Sequence, residues 1–520
     1  MDGMTNKISI GALVLAGLWV LVWRSLNWVW LGPKKLEKYL RQQGFSGNSY
    51  RILVGDMKES NDMDRSAQSH PLPLGADILP RMMPFIHRTV KKYGKRCFTW
   101  YGPYPNVIVT EPETVREILS RHEVFPKPKI GSHNHVFVSG LLDHEGHLWS
   151  KHRSILNPSF RTDNLKNILP AFDLSCKEML QQWETLAEGT RGSSMEIDSW
   201  PYCLEVSKHM LARAAFGDRY KDGIKIFEIQ QEQIDLGLRA IRSVYIPGSR
   251  FLPTKFNKRL RGTEREMRAM FKAMIEAKEK EINRGEDVKS TDLLSSMLAS
   301  NAKMIKEQGP ESGLTIEDMI DDCKAFYLAG QNVTSSLLVW SLVSLGQHQD
   351  WQEKARDEVF RVLNTNDDPD FDGLSHLKII TMILYEVLRL YSPAYFTCRI
   401  TEQELKLERF SLPAGVVLTL PMLMIHHDPD LWGNDVKEFK PERFSNGVAT
   451  TTKGRLSFLP FSSGPRTCIG QSFSMLEAKL FLARVLQRFR LELSPAYIHA
   501  PFPAATTFPQ HGAHIIIHKI

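Results

Sequence analysis

The sequence of 520 residues has few cysteines and no close pair of them. Its six cysteines are scattered along the chain, without any C-x-x-C spacing, at Cys97, Cys176, Cys203, Cys323, Cys398 and Cys468. This distribution excludes a compact disulfide framework and argues against a structural zinc site. It favours a reducing compartment.

The sequence also lacks a strong excess of one charge, internal repeats and long low-complexity segments. Lysine and arginine number 66 against 59 acidic residues, which gives a net charge of +7. This excess is too small and too diffuse to indicate binding to nucleic acid. It suits an anionic membrane surface or an acidic protein partner. Hydrophobic residues make up 42% of the chain, which is ordinary for a protein with a sizeable folded core.

One long apolar stretch lies at the N-terminus, where residues 8–23 carry no charge and apolar character continues to Leu31. This length meets the roughly 20 residues that a membrane-spanning helix needs. A cleaved signal peptide is disfavoured because a basic flank follows instead of a small-residue cleavage site. The flank contains Arg24, Lys34, Lys35, Lys38 and Arg41. Its charge predicts a single-pass anchor at residues 1–31 with the rest of the chain in the cytosol. Pro33 can end the span, and residues 32–50 would form a basic hinge.

The rest of the chain has mainly helical periodicity. Thr315 and Asp318 form a capping-box-like start that predicts a long helix to about Gln347, and a second periodic helix is predicted over residues 375–390. Strand-like alternation occurs at residues 98–101 with 106–110, and a hairpin is predicted over 405–420 around the turn at 413–415. The expected fold class is mainly α with a smaller β portion.

Cys468 lies in a loop immediately before an apolar helical run over residues 473–486. Gly464 and Gly470 can adopt the positive φ angles of a tight loop, and the start of a helix favours a thiolate. Arg466 could bind an anionic group on whatever the sulfur ligates. A thiolate held in this way suits a soft metal centre, although a lone cysteine is more often buried and inert.

The loop completes the pattern Phe-x-x-Gly-x-Arg-x-Cys-x-Gly with Phe461, Gly464, Arg466, Cys468 and Gly470. This pattern resembles the haem-binding loop of the cytochrome P450 superfamily. The resemblance implies a cytochrome P450 fold with an N-terminal transmembrane helix, and residues 51–520 as the catalytic domain. It also implies that Cys468 is the axial ligand of the iron of haem b, a ligand that favours O–O cleavage. The activity implied is that of a monooxygenase using NADPH-derived electrons from NADPH-cytochrome P450 reductase.

Further motifs in the expected order strengthen the resemblance. Trp149 and Arg153 are four residues apart on one helical face, and both match the pair that contacts a haem propionate in this family. Arg399 matches another propionate-binding arginine. Glu386, Arg389 and Arg443 match a buried ion network that holds the haem-binding core. The nearby run at residues 143–147 is rich in histidine and acid, but no further ligand pattern supports a metal site there, and it is interpreted as a polar loop.

The centre of the long predicted helix departs from the family pattern. The resemblance makes residues 329–334 the oxygen-activating turn, in which small residues leave room for dioxygen and an acid–alcohol pair relays protons. Ala329 and Gly330 keep the small residues. Asn332 stands in the place of the acid, Val333 in the place of the threonine, and Thr334 follows. An amide does not titrate in the required range, and an isopropyl group forms no hydrogen bond.

This departure leaves three hypotheses open. Thr334, Ser335 or a substrate hydroxyl could replace the relay and leave ordinary hydroxylation intact. The enzyme could instead direct reduced dioxygen at a carbonyl group, which would give oxygen insertion or C–C cleavage. The third hypothesis is slow turnover in which electrons are lost without product. A haem protein of another class, either a peroxide-using isomerase or a non-catalytic membrane partner, also remains open.

The resemblance extends over essentially the whole chain to the plant family that contains secologanin synthase and 7-deoxyloganic acid hydroxylase. It includes residues 30–37, 41–45, 53–56, 245–248, 252–255, 493–502 and 509–514. This family oxidises small terpenoids, which predicts an iridoid, loganin-type oxidation or ring cleavage, or else hydroxylation of a triterpenoid or gibberellin. The endoplasmic reticulum membrane is the predicted location. Substrate choice would depend on residues 125–142, 236–252, 326–334, 394–397 and 504–508.

Overall fold

A computed structural model of the protein describes residues 2–129, 139–189, 194–241, 248–284, 292–363, 369–452, 454, 456–504 and 506–520. Parts of three predicted substrate regions therefore lie outside the described residues, namely 130–138, 242–247 and 505. The family-like run 245–248 is described only at Gly248.

Helices form most of the chain. The first ten are α1 Asp2–Leu26, α2 Gly32–Gln42, α3 Met57–Gln68, α4 Leu79–Met82, α5 Pro84–Tyr93, α6 Pro112–Ser120, α7 Gly146–Leu156, α8 Thr162–Glu188, α9 Ser199–Phe216 and α10 Tyr220–Ile241. The later ones are α11 Lys255–Asn283, α12 Leu293–Gln308, α13 Ile316–Gln347, α14 Gln349–Val362, α15 Phe371–His376, α16 Lys378–Leu390, α17 Met422–His426, α18 Pro429–Trp432, α19 Val448–Thr451 and α20 Gln471–Arg488.

The smaller β portion consists of short strands. They are β1 Ser46–Gly47, β2 Cys97–Tyr101, β3 Tyr104–Ile108, β4 Ser194–Asp198, β5 Thr397–Ile400, β6 Leu405–Leu407, β7 Phe410–Leu412, β8 Val417–Leu420, β9 Phe489–Leu493, β10 Pro501–Pro503, β11 Thr507–Pro509 and β12 His514–Lys519. One sheet has the order β1-β2-β3-β8-β5 and a second has the order β4-β12-β9. Two hairpins, β6-β7 and β10-β11, complete the described strands. The predicted fold class, mainly α with a smaller β portion, is confirmed.

Helix α13 runs through the main hydrophobic core. It begins with the predicted capping box, in which the Thr315 hydroxyl accepts from the Asp318 N–H and the Asp318 carboxylate accepts from the Thr315 N–H. Its C-terminal half is buried, and the Trp340 ring stacks on Tyr391 with the ring centres 4.3 Å apart. Because one long buried helix contacts several layers of the domain, its side chains can link distant parts of the chain.

Two local predictions of secondary structure differ from the structure. The helix predicted over 375–390 is divided into α15 and α16 at Leu377, where the Glu358 carboxylate accepts from the N–H groups of Lys378 and Ile379. The hairpin predicted around residues 413–415 is wrong. β7 pairs with β6, and β8 pairs with β3 and β5.

Pro33 does not end the N-terminal helix. It occupies the first turn of α2, where a proline costs no hydrogen bond, and the helical path continues through residues 27–31 to Gln42. A continuous helical stretch, Ala12–Gln42, is long and apolar enough to cross a membrane, and its apolar window has no residues buried inside the protein. The division into anchor, hinge and catalytic domain stays a prediction.

Candidate active site

The Cys468 loop is held by its own backbone immediately before α20. The Cys468 N–H donates to the Phe461 carbonyl over 2.9 Å, and the Thr467 N–H donates to the Gly464 carbonyl over 3.0 Å. Gly464 has φ +75°, and an added Cβ would lie 2.7 Å from the Leu119 carbonyl oxygen. Both features require glycine. Gly470 does not need the predicted positive φ, since its φ is −86°.

The Cys468 thiol lines an internal space. The surface of its side chain is accessible. The thiol nevertheless has many protein atoms around it, and this burial raises its pKa. The Gly470 N–H and the Arg153 guanidinium oppose this rise. The predicted helix-start effect is therefore present but weaker than burial in the metal-free thiol. A bound metal cation would deprotonate the thiol.

Two residues of α7 converge on this loop from more than 300 positions earlier in the sequence. Arg153 donates from Nη1 to the Thr467 carbonyl over 3.0 Å. The Arg466 guanidinium carbon lies 4.6 Å from the centre of the Trp149 ring, which is a cation–π contact. The predicted spacing of Trp149 and Arg153 thus places both beside the cysteine loop.

Several cationic nitrogens in this region have no hydrogen-bond partner among the described residues. They are Nε of Arg399 and both Nε and Nη1 of Arg466, all of them buried. Arg399 uses Nη1 to reach the Thr397 hydroxyl and the Cys398 carbonyl. Because unpartnered buried guanidinium nitrogens are costly, they indicate an anionic group that belongs between them. An accessible thiol together with these donors fits a haem, with iron at Cys468 and propionates at the arginines.

Two further charged residues, which the sequence analysis named only as parts of longer segments, lie beside these arginines. Glu145 forms an ion pair with Arg466 and accepts from the Lys127 N–H. The Lys127 ammonium donates to the Leu142 carbonyl over 2.6 Å. Burial and the neighbouring Arg466 and Arg399 lower the pKa of Lys127 to about 8. The run at 143–147, interpreted as a plain polar loop, therefore supplies a counter-ion to the site.

The turn at residues 329–334 lies within α13. Ala329 is exposed in the middle of a core helix, which places it on the wall of an internal space. Gly330 faces α9 instead, where an added Cβ would lie 2.7 Å from the Leu211 side chain. A larger residue at 330 would therefore require the Leu211 side chain to shift. Asn332 and Val333 are half-buried, and Thr334 is buried.

The three residues of the predicted ion network are adjacent. Arg389 binds Glu386 through two nitrogens, at 2.9 and 2.7 Å, and neither side chain is exposed. Arg443 Nε lies 3.4 Å from the same carboxylate and contacts Asp435 at 2.8 Å. Arg389 also donates to the carbonyls of His426 and Val436. The network joins α16 to the segment that leads to the cysteine loop.

Comparison with known proteins gives the family. Residues 79–509 match the family model for cytochrome P450. Cytochrome P450 72C1 of Arabidopsis thaliana is 75% identical over 512 residues, 98% of each chain. The 7-deoxyloganic acid hydroxylase of Catharanthus roseus is 45% identical over 99% of each chain, and secologanin synthase 2 of the same plant is 44% identical over 100% of this chain and 99% of its own.

A solved structure supports the fold. Retinoic acid-bound cyanobacterial CYP120A1 superposes with a TM-score of 0.72, covering 87% of this chain and 99% of its own at 22% identity. The family implies a haem iron cofactor, and the donors around Cys468 fit one. The chain belongs to the cytochrome P450 family and is a plant-type monooxygenase of that family.

Proposed function

We propose that this monooxygenase oxidises a small terpenoid of the iridoid class, by hydroxylation or ring cleavage of a loganin-type compound. The supporting observation is the full-length similarity to two relatives named for 7-deoxyloganic acid and secologanin, at 45% and 44% identity. Hydroxylation of a triterpenoid or gibberellin is the alternative outcome.

The residues around Cys468 would hold the haem as follows. Cys468 would ligate the iron, and Arg399 and Arg466 would bind the propionates with guanidinium nitrogens that have no hydrogen-bond partner in the described part of the chain. Arg153 secures the cysteine loop through the Thr467 carbonyl, and Trp149 orients Arg466. Bound haem with a thiolate ligand supplies the activation of dioxygen. The electrons come from NADPH through NADPH-cytochrome P450 reductase.

The altered turn decides between the two kinds of oxidation. Asn332 cannot supply a proton in the required range and Val333 has no hydroxyl, so the next hydroxyl along the chain is that of Thr334. Ser335 donates its hydroxyl to the Gln331 carbonyl over 2.7 Å. Where the Thr334 hydroxyl delivers protons fast enough, the substrate is hydroxylated. Where proton delivery is slow, a substrate with a carbonyl group favours oxygen insertion or ring opening.

The N-terminal helix would place the enzyme on the endoplasmic reticulum membrane with the catalytic domain in the cytosol. Its apolar side chains are exposed to the outside of the protein, for example Leu13 and Trp19. The Tyr50 hydroxyl donates to the Val29 carbonyl over 2.7 Å, which joins the helix to the folded domain. The ammonium of Lys34 lies 5.2 Å from the Trp30 ring, and this pair would lie at the membrane boundary.

The test is product analysis by mass spectrometry. Microsomes containing this protein and a plant reductase receive NADPH, labelled dioxygen and a panel of iridoids, triterpenoids and gibberellins. A labelled iridoid product supports the proposal, and a ring-opened product supports the carbonyl pathway. Labelled product from another class alone would overturn the iridoid assignment. Product formed from added peroxide without reductase would indicate chemistry of another class.

A further inference from the structure

A buried histidine of α17 lies against the segment that leads into the Cys468 loop. His426 is 0% exposed, and its Nε2 atom accepts from the Leu459 N–H group over 2.8 Å. Its Nδ1 atom lies 2.7 Å from the hydroxyl oxygen of Ser392. That hydroxyl donates to the Leu388 carbonyl over 2.7 Å. Both ring nitrogens of His426 therefore have a partner.

These contacts fit one protonation state of the His426 ring. A backbone N–H group cannot accept a hydrogen bond, so Nε2 carries no proton. The single hydrogen of the Ser392 hydroxyl is used on Leu388, so Nδ1 carries the ring proton and donates it to Ser392. Burial, together with the neighbouring His427 and Arg389, lowers the pKa of His426 well below its usual value, in agreement with a neutral ring.

Leu459 begins the turn on which the Cys468 backbone rests. The Leu459 carbonyl accepts from the Ser462 N–H over 3.1 Å, and the Phe461 carbonyl accepts from the Cys468 N–H over 2.9 Å. Ser462 has φ +61°, a left-handed conformation that is uncommon in residues other than glycine. Such a conformation persists only where the surrounding structure holds it. His426 provides one of these contacts, at the first residue of the turn.

The backbone of α17 is fixed independently of the His426 ring. The His426 carbonyl accepts from the Arg389 guanidinium over 3.0 Å, which ties it to the buried ion network. The adjacent His427 makes a different contact, since its Nε2 atom lies 3.0 Å from the Leu390 carbonyl. A carbonyl only accepts, so Nε2 is a donor in His427 and an acceptor in His426. The acceptor nitrogen is the one that contacts the cysteine segment.

We propose that His426 is a positioning residue for the thiolate ligand, because its Nε2 atom fixes the Leu459 N–H group and thereby the turn that places the Cys468 backbone. Ser392 holds the ring in this orientation and tautomer by accepting from Nδ1. The role involves no proton transfer. The inference rests on Cys468 as the iron ligand, which is part of the proposed function, and is independent of the terpenoid substrate.

Two neutral substitutions separate the contributions of the two ring nitrogens. The glutamine amide reaches the position of Nε2 and can accept from Leu459, whereas the shorter asparagine amide reaches only the position of Nδ1. The measurement is the rate at which the haem-loaded full chain loses the thiolate band of its carbon monoxide difference spectrum. His426→Asn should raise this rate about tenfold, because one buried N–H group is left without a partner. His426→Gln should keep a rate close to that of the unaltered protein.

His427→Asn is the matched control, because it makes the same change at an adjacent buried histidine that contacts Leu390. It should leave the rate of band loss unchanged. Equal rates in His426→Asn and His426→Gln, or an equal acceleration in His427→Asn, would overturn the proposal. These comparisons separate positioning through Leu459 from a general loss of stability, which both asparagine variants would share.

Ser392→Ala is a milder change that leaves the ring in place. It removes the acceptor of the Nδ1 proton and should accelerate band loss about threefold. In the His426→Gln background it should have no further effect, because the contact with the imidazole is already absent. An unchanged rate in Ser392→Ala, or the same acceleration in both backgrounds, would contradict the part assigned to Ser392.

Hydrogen exchange tests the contact without the haem spectrum. Mass spectrometry of a peptide that contains Leu459 should show faster exchange of one protected amide in His426→Asn but not in His426→Gln. Unchanged exchange in His426→Asn would overturn the proposed contact. Absence of the thiolate band from the unaltered protein would refute Cys468 as the ligand, and this inference with it. A band that is present and equally stable in every variant would refute this inference alone.

Discussion

The guanidinium carbon of Arg466 lies 4.6 Å from the centre of the Trp149 ring, and the same guanidinium is paired with Glu145. One side chain of the cysteine loop therefore joins two positions of the segment that begins α7. Its remaining nitrogens, Nε and Nη1, have no hydrogen-bond partner among the described residues. This arrangement fixes the position of the guanidinium and leaves Nε and Nη1 placed to bind an anionic group.

Arg466→Ala should weaken haem binding by about 2 kcal/mol, roughly thirtyfold, because hydrogen bonds to a charged group are lost and Glu145 loses its partner. The measurement is the rate at which haem transfers to a haem-free acceptor protein. Arg490→Ala, on the exposed side of β9, is the matched control and should leave this rate unchanged. Equal rates for the two variants would remove Arg466 from the propionate site.

Cys468→Ala should abolish the thiolate band of the carbon monoxide difference spectrum, because no other cysteine is predicted to ligate the iron. Activity with reductase and NADPH should disappear as well. Cys97→Ala in β2 should keep the band. Retention of the band in Cys468→Ala would refute the assignment of this residue as the iron ligand.

Arg389→Leu should destabilise the domain by about 3–5 kcal/mol, since it leaves the fully buried Glu386 carboxylate without its main partner. Removing both charges in Glu386→Leu/Arg389→Leu should cost less than either single change. Urea unfolding followed by tryptophan fluorescence measures both effects. A double variant that loses the sum of the two single losses would show that the residues do not act as a pair.

The stability of the protein should depend on pH through Glu477. Its pKa rises from 4.5 to about 8 on folding, so the folded state binds more protons between these values. Its contribution to stability therefore falls as pH rises through this range, by up to about 1.4 kcal/mol per pH unit. Glu477→Gln should flatten that part of the curve in urea unfolding at several pH values. A slope equal to that of the unaltered protein would contradict the raised pKa.

Local signals in the sequence predicted several elements correctly. The capping box at Thr315 and Asp318 predicted the start of α13, because a cap involves only residues within one turn. The strands β2 and β3 were predicted at nearly the right positions because they form a short antiparallel hairpin. The altered composition of residues 329–334 was equally visible in the sequence.

Two predictions that depended on distant partners were wrong. The division between α15 and α16 occurs where Glu358, from α14, caps the N-terminus of α16. β8 pairs with β3, which lies more than 300 residues away in the chain, and not with β7. Periodicity and turn residues contain no information about which strand or carboxylate will be adjacent in space.

The sequence by itself determined the family, and it predicted the haem-ligand cysteine, its loop and the arginines around it, because these form spaced motifs of characteristic residue types. Only the tertiary structure revealed Glu145 and Lys127 beside Arg466, Leu211 against Gly330, and Glu477 next to Ser207. The physical reason is that charge compensation and burial depend on which side chains meet after folding. The residue type of a glutamate in a helical segment does not show whether its side chain is exposed to water or buried between helices.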